Sequence, residues 1–303
     1  MNEQSGTNKV FVVGMILSMT CWGFSWTSGK ILTDYGDPLT ISFLRFALTF
    51  VSLLVLLPLM KEKLTISTKG IWNLLISSAL ISIYTFLFFK GVSVGKAGAG
   101  GVLVTVLNPI IIYAMTISLS RRKPTRNEAI GLALGLVAGV VLLRLTTQAD
   151  EIFKAGNIYF LLAAFSWAVL SRFTSKAGKY GSSLSFSLWV YGISTCLMFI
   201  FAGASSTAST LQKSDGMFWG NLFFSATITT SLATTFYFVA TSRIGASRAS
   251  SFIFMVPFSA ALGSWMFLGE VIEMHTIIGG LLGIAAVYIL NRKDVKVKGP
   301  LQR

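Results

Sequence analysis

A positive charge set inside an apolar run is the first chemical signal in this sequence. Arg45 lies in the run 39–60, about two helical turns from its start. A guanidinium at such a depth either snorkels to the interface or attracts an anion, a carboxylate among them. Lys30, at the end of the preceding run, permits the same two readings. Ser18, Trp22, Ser25 and Gly29 follow one another at spacings of 4, 3 and 4, which puts them on one helix face. That face either packs closely on another helix or lines a cavity, with Trp22 and Trp26 as stacking surfaces. Ser78, Ser82 and Thr85 form a second hydroxyl stripe, and Thr227, Ser231 and Thr234 a third. Hydroxyls in such stripes bond their own backbone, join helices or meet a ligand. Asn108, beside Pro109, is an amide in the middle of another apolar run.

Enzymatic chemistry finds little support. The segment Ser28-Gly29-Lys30-Ile31-Leu32 lacks the spacing and the hydroxyl residue of a phosphate loop. His275, the single histidine, is expected near one surface, so no serine–histidine dyad forms at depth. Asp34 and Asp37 share a short connection without a buried carboxylate partner, and Asp37-Pro38 reads as a helix start. Cys21 and Cys196 lie in apolar runs, with neither metal-ligand nor disulfide spacing. No catalytic residue, metal or cofactor is expected. Glu270 stands near the end of a run, where a proton-coupling role is one possible use.

The elements that must carry these residues follow from composition. Of 303 residues, 53% are hydrophobic and 12% charged, with a mean hydropathy of +0.72. A water-soluble domain carries about twice that charged fraction. The bilayer is therefore the expected solvent. The net charge of +14 sits in short connections between apolar runs rather than on a stripe, which argues against nucleic acid. Ten runs are long enough to cross a membrane as helices: 10–30, 39–60, 70–90, 97–118, 127–144, 157–176, 184–204, 217–240, 247–268 and 272–291. With the N-terminus placed in the cytoplasm, 18 of the 25 Lys and Arg fall on the inner side and six on the outer. That bias predicts a plasma-membrane protein, in a bacterium the inner membrane, with both termini cytoplasmic.

The halves resemble each other. Residues 85–95 read TFLFFKGVSVG and 235–245 read TFYFVATSRIG, so Thr85, Phe86, Phe88 and Gly95 align with Thr235, Phe236, Phe238 and Gly245. Trp22-Gly23 opens one half and Trp167-Ala168 the other. Pro109 and Pro257 follow at corresponding places, each expected to kink a helix beside a substrate path. Five helices per half is odd, so the second half enters the membrane inverted. Inverted repeats are a recurring transporter architecture, with the site between them. The division falls at 1–148 and 149–303. Gly131, Gly135 and Gly139 form one small-residue ridge, and Gly279 and Gly283 another. These suit packing of the fifth run on the tenth, or the seam of a homodimer.

These segments resemble the EamA-type group of the drug/metabolite transporter superfamily. The matching features are WGFSWTSGKIL at 22–32, PLTISFLR at 38–45, and GASRASSFIFMVPFSAALGSWMFLGE at 245–270. One departure stands out: Leu119-Ser120-Arg121-Arg122-Lys123 occupies the place where the first half would carry a Gly-Glu pair. The resemblance implies an all-α bundle of ten transmembrane helices in two inverted five-helix repeats. In it the first, third, fourth, sixth, eighth and ninth runs enclose a cavity, and the fifth and tenth lie outside. It also implies transport of amino acids, other metabolites or drugs, frequently outward. The expected function is secondary transport by alternating access, with export of a small amphipathic metabolite. The expected contacts are Trp22, Trp26, Tyr84, Trp167 and Tyr237 for stacking, Ser25, Ser82 and Asn108 for hydrogen bonds, and Arg45 for an attractive field. A non-transporting membrane protein, such as a lipid-modifying enzyme or a receptor-like binder, and a passive channel are the alternatives.

Overall fold

The computed structural model describes residues 2–145, 156–237 and 252–291. Among them every regular element is helical and no strand occurs. In chain order the helices are α1 (Asn2–Leu32), α2 (Pro38–Leu59), α3 (Ile71–Val94), α4 (Ala97–Leu119), α5 (Arg126–Leu142), α6 (Asn157–Thr174), α7 (Ser183–Ala202), α8 (Ala204–Lys213), α9 (Gly216–Phe223), α10 (Met255–Leu268) and α11 (Met274–Asn291). α9 continues without a break into a π-helical stretch, Phe224–Ala233. Among the described residues six helical segments are long and apolar enough to cross a membrane: Phe11–Leu32, Pro38–Leu59, Thr68–Val94, Ala97–Leu119, Asn157–Lys179 and Ser183–Ala202. The chain is therefore an α-helical membrane protein.

Local chemistry sets the ends. Asp37 caps α2 by accepting from the amides of Leu39 and Thr40, and Pro38 sits at the first helical position, where its missing N–H costs nothing. Thr125 and Glu128 form a reciprocal capping box on α5. Lys61 and Arg144 close α2 and α5 in the left-handed region, at φ 57° and 53°, a place glycine usually takes. In each case the next amide reaches back five residues, Glu62 to Leu57 and Leu145 to Val140, which satisfies a carbonyl at the helix end.

Packing joins the first half of the chain to the second. α1 lies on α10, α2 on α7, α3 on α6, α4 on both α10 and α6, and α5 on α11. The π-helical stretch touches α1 and α2. Glycines set the closest approaches. A methyl group on Gly23 would stand 2.3 Å from Ser259 Cβ and 2.7 Å from the Ala260 nitrogen, so α1 meets the backbone of α10. Gly131 faces Leu290 and Gly279 faces Leu142 across the α5–α11 contact, whereas Gly135, Gly139 and Gly283 face Ile110, Leu107 and Val106 of α4. The outer surface is strongly apolar: Trp72, Ile200 and Leu136 are 74%, 73% and 70% exposed. Contiguous apolar surface of this kind needs lipid rather than water around it.

Two sequence expectations change. The α-helical part of the ninth run begins at Met255, directly after a 3-10 turn at Phe252–Phe254. Pro257 thus stands in the first turn of α10 rather than mid-helix, where its missing N–H costs little. Pro109 lies inside α4 as expected. α8, with the polar sequence ASSTASTLQK, fills the connection expected between the runs 184–204 and 217–240. It folds because it packs under the α1–α2 link, where Ser206 donates to Asp37 at 2.6 Å. Phe238 to Gly245, the second half of the repeat alignment, and the division at 148/149 lie outside the described residues.

Candidate functional site

Arg45 projects from α2 into the bundle. Its Nη2 donates to Thr230 Oγ1 at 3.2 Å, and the guanidinium lies over Phe88 and Phe89, 5.6 and 5.8 Å from the ring centres. Tyr84 and Tyr191 are within electrostatic reach. Among the described residues no carboxylate comes within ion-pair distance of it. Arg45 is half-buried, as are Tyr84, Trp167, Tyr191 and Thr230. The aromatic wall is continuous: Tyr84 lies 4.7 Å from Trp167 and 6.4 Å from Phe88, and Trp26 lies 4.7 Å from Phe88.

Trp22 and Tyr237 form a second group beside the first. Their rings are 5.5 Å apart, and Trp22 Nε1 donates to the Thr229 carbonyl at 3.3 Å. Thr229 precedes Thr230, so one π-helical turn serves both Trp22 and Arg45. That turn also answers the question posed by the third hydroxyl stripe. Thr230, Ser231 and Thr234 donate to the carbonyls five residues back, on Ser225, Ala226 and Thr229. Thr227 pairs instead with Ser52 of α2 at 2.7 Å. π-helical segments occur disproportionately at functional sites.

The remaining expected contacts are more enclosed. Ser25 is buried and donates to the Trp22 carbonyl at 2.7 Å, so it supports Trp22. Trp26 is 4% exposed, with its edge toward Phe88 and Phe160 in the main core. Asn108 is buried beside Pro109 in α4. Ser82 is buried, and its hydroxyl has no partner among the described residues. The structure thus gathers Arg45, Tyr84 and Trp167 in one group and Trp22 and Tyr237 in another, with Trp26 behind Phe88. Thr229, Thr230, Tyr191, Phe88 and Phe89 were not expected. The sequence marked the phenol of Tyr191 and the Thr229–Thr230 pair only as polar atoms in apolar runs.

Lys30 and Glu270 have found structural work at one end of the bundle. Lys30 Nζ donates to the carbonyls of Val92, Ser93 and Gly95 at 2.6, 3.3 and 3.1 Å, at the negative end of α3. Glu270 accepts from the amides of Ala97 and Gly98 at 2.8 and 3.0 Å, at the positive end of α4, and from Ser264 at 2.6 Å. The two charges hold the α3–α4 corner from either side. Beside it Glu273 pairs with Lys96 at 2.7 Å and with Arg144. The Lys96 hydrogen bond, assisted by the charges of Lys96, Arg144 and His275, holds the Glu273 carboxyl below its ordinary range. A cleft of about 80 Å³ opens here, lined by Lys96, Arg144, Asn157, Glu270, Glu273 and His275. A second, of about 230 Å³, lies between α4 and α6 at the opposite end of α4, near Met115, Thr116, Ser171 and Arg172. Neither includes Arg45.

Known proteins share this plan. The profile described as the EamA-like transporter family matches the chain twice, over residues 10–145 and 154–292. A protein of Bacillus subtilis named uncharacterized transporter YoaV is 23% identical over 92% of this chain and 95% of its own length. A protein of Salmonella typhimurium named probable amino-acid metabolite efflux pump is 23% identical over 90% of this chain and 92% of its own. One solved crystal structure superposes with a TM-score of 0.58 at 14% identity, over 92% of this chain and 96% of that one, a likeness of fold alone.

Proposed function

The chain belongs to the EamA-like transporter family, within the drug/metabolite transporters, and from that premise we propose that it exports a small amphipathic metabolite, an amino acid or a related compound, by alternating access. The observation that carries this reading is the Arg45 guanidinium, without an ion-pair partner among the described residues, beside an aromatic wall. A cation with no carboxylate partner is costly to keep at depth and is retained where it has work to do. Outward movement is favoured by the relative named as an efflux pump.

The mechanism needs two halves of opposite polarity, ten crossings in all, with both termini in the cytoplasm of a cell bounded by this plasma membrane. Contacts support that plan. Exchanging each half's helices for the other's turns the α1–α10 contact into α6–α4, α1 with the π-helical stretch into α6–α3, and α2 with the π-helical stretch into α7–α3; all of these pairs occur. The double match of the family profile has the same period. Arg45 and Thr230 come from different halves, so their bond spans the line along which such halves would part.

Counterflow tests the reading. Purified protein in liposomes preloaded with an unlabelled amino acid should accumulate the labelled one saturably, and Trp22→Ala should abolish the overshoot. Traces that stay flat over a broad panel of amino acids and related metabolites, with folded protein confirmed, would refute it.

A further inference from the structure

We infer that the site around Arg45 requires an oxyanion on its ligand, carried by an apolar, ring-sized body, and that an amine without an oxyanion is refused. The inference rests on the transporter reading and narrows its substrate. Three observations carry it.

The first is the state of the guanidinium. Arg45 has one hydrogen-bond acceptor among the described residues, Thr230 Oγ1. The Thr230 hydroxyl proton is directed to the Ser225 carbonyl at 2.7 Å, so this oxygen meets Arg45 with a lone pair. A guanidinium carries five N–H donors in a planar fork that fits a carboxylate or phosphonate through two parallel bonds. Phe88 and Phe89 lie under the group but accept no such bonds. A ligand oxyanion would supply the missing charge and the missing acceptors together.

The second is the absence of a matching anion. The acids with described side chains, Asp34, Asp37, Glu62, Glu128, Asp215, Glu270 and Glu273, stand in connections or at helix ends. Asp37 and Glu270 are spent on helix caps, and Glu128 and Glu273 on ion pairs. A ligand ammonium held near Arg45 would meet no carboxylate among them and would be repelled by the guanidinium.

The third is the wall. Tyr84 and Trp167, with rings 4.7 Å apart, adjoin the guanidinium through Phe88 and are half-buried. Such rings take an apolar or aromatic body by stacking.

Matched ligands test this in detergent, by quenching of intrinsic tryptophan fluorescence and independently of transport. The probes are phenylacetate, phenylphosphonate, phenylacetamide, phenethylamine and phenylalanine. The expected result is that one or both anions bind about 10- to 100-fold more tightly than phenylacetamide, the loss that accompanies removal of a charged hydrogen-bond pair. Phenethylamine should bind weakest, and phenylalanine no better than phenylacetate. Whether carboxylate or phosphonate binds better identifies the oxyanion. Arg45→Gln should erase the preference, Arg45→Lys should retain part of it, and Trp167→Ala should weaken acid and amide alike. If Arg45→Gln does not fold, Thr230→Val serves, because freeing Arg45 from the hydroxyl should change affinity for the acids and not for the amide. Equal binding of acid and amide, preferred binding of the amine, no binding of any acid, or a preference that survives Arg45→Gln would each overturn the inference. Counterflow on the same panel separates the two levels. Acids that bind through Arg45 without counterflow sink the transporter reading alone, whereas counterflow of neutral amides untouched by Arg45→Gln sinks the oxyanion alone.

Discussion

Replacing Glu270 by alanine should release the α3–α4 corner. The carboxylate accepts from two amides in the first turn of α4, those of Ala97 and Gly98, and both residues are buried. Stranding a buried donor costs about 1–3 kcal/mol. Water reaches this place through the adjoining cleft, which favours the lower end for each amide. Loss of a negative charge at a helix N-terminus adds about 0.3–1 kcal/mol. Together the corner should loosen by about 2–3 kcal/mol, which raises the local opening constant about 30- to 150-fold. Glu270→Gln keeps one acceptor oxygen and loses the charge, so its effect should fall between those of wild type and alanine. Hydrogen–deuterium exchange of a peptide covering residues 97–103, in detergent, reads this directly, and the α6 peptide serves as control. Exchange in Glu270→Ala that matches wild type would refute the capping argument. A glutamine variant as damaged as the alanine variant would show that charge, and not the acceptor, carries the effect.

Other outcomes follow from the same geometry. Gly23→Ala forces a methyl group against the backbone of α10 and should lower stability by about 1–3 kcal/mol, while Gly220→Ala, with nothing within 4 Å, should be neutral or slightly stabilising; thermal unfolding in detergent compares them. Glu273 is held below its ordinary value of 4.5, so its contribution is present above that pH and drains away as pH falls through the lowered value. The melting-temperature difference between wild type and Glu273→Gln should therefore shrink below about pH 4.5, and a difference constant with pH would contradict the pairing. A reporter protein fused after Arg303 should fluoresce or act only in the cytoplasm, and activity outside the cell would reverse the proposed orientation.

How much the sequence disclosed depended on the range of the interaction. Asp37-Pro38 announced the start of α2 because a cap is decided within three residues. The apolar runs disclosed most helices because hydropathy is a local sum. The glycine ridges pointed to close helix approach, since a stripe without side chains has few other uses, but not to α4, which Gly135, Gly139 and Gly283 meet. Lys30 and Glu270 were harder. Their partners lie 62 and 173 residues away, and a charge at a helix end looks the same in sequence whether it snorkels, binds a ligand or caps another helix. The Arg45 site was legible in its cation and in Tyr84 and Trp167, but Thr230 and Phe89 became visible only when α2, α3 and the π-helical stretch met. The π register itself escaped because Thr227, Ser231 and Thr234 have the spacing of an α face, and no residue type in the stretch forbids either winding.

That winding gathers several contacts onto one stretch. Thr230, Ser231 and Thr234 each reach a carbonyl five residues back, the Thr229 carbonyl takes the Trp22 indole, and Thr230 takes Arg45. Rewinding to an α-helix moves every hydrogen-bonding partner by one place at once. Three contacts within the stretch and two to α1 and α2 thus depend on one winding, and a change of winding over Ser225–Thr234 would disturb them together.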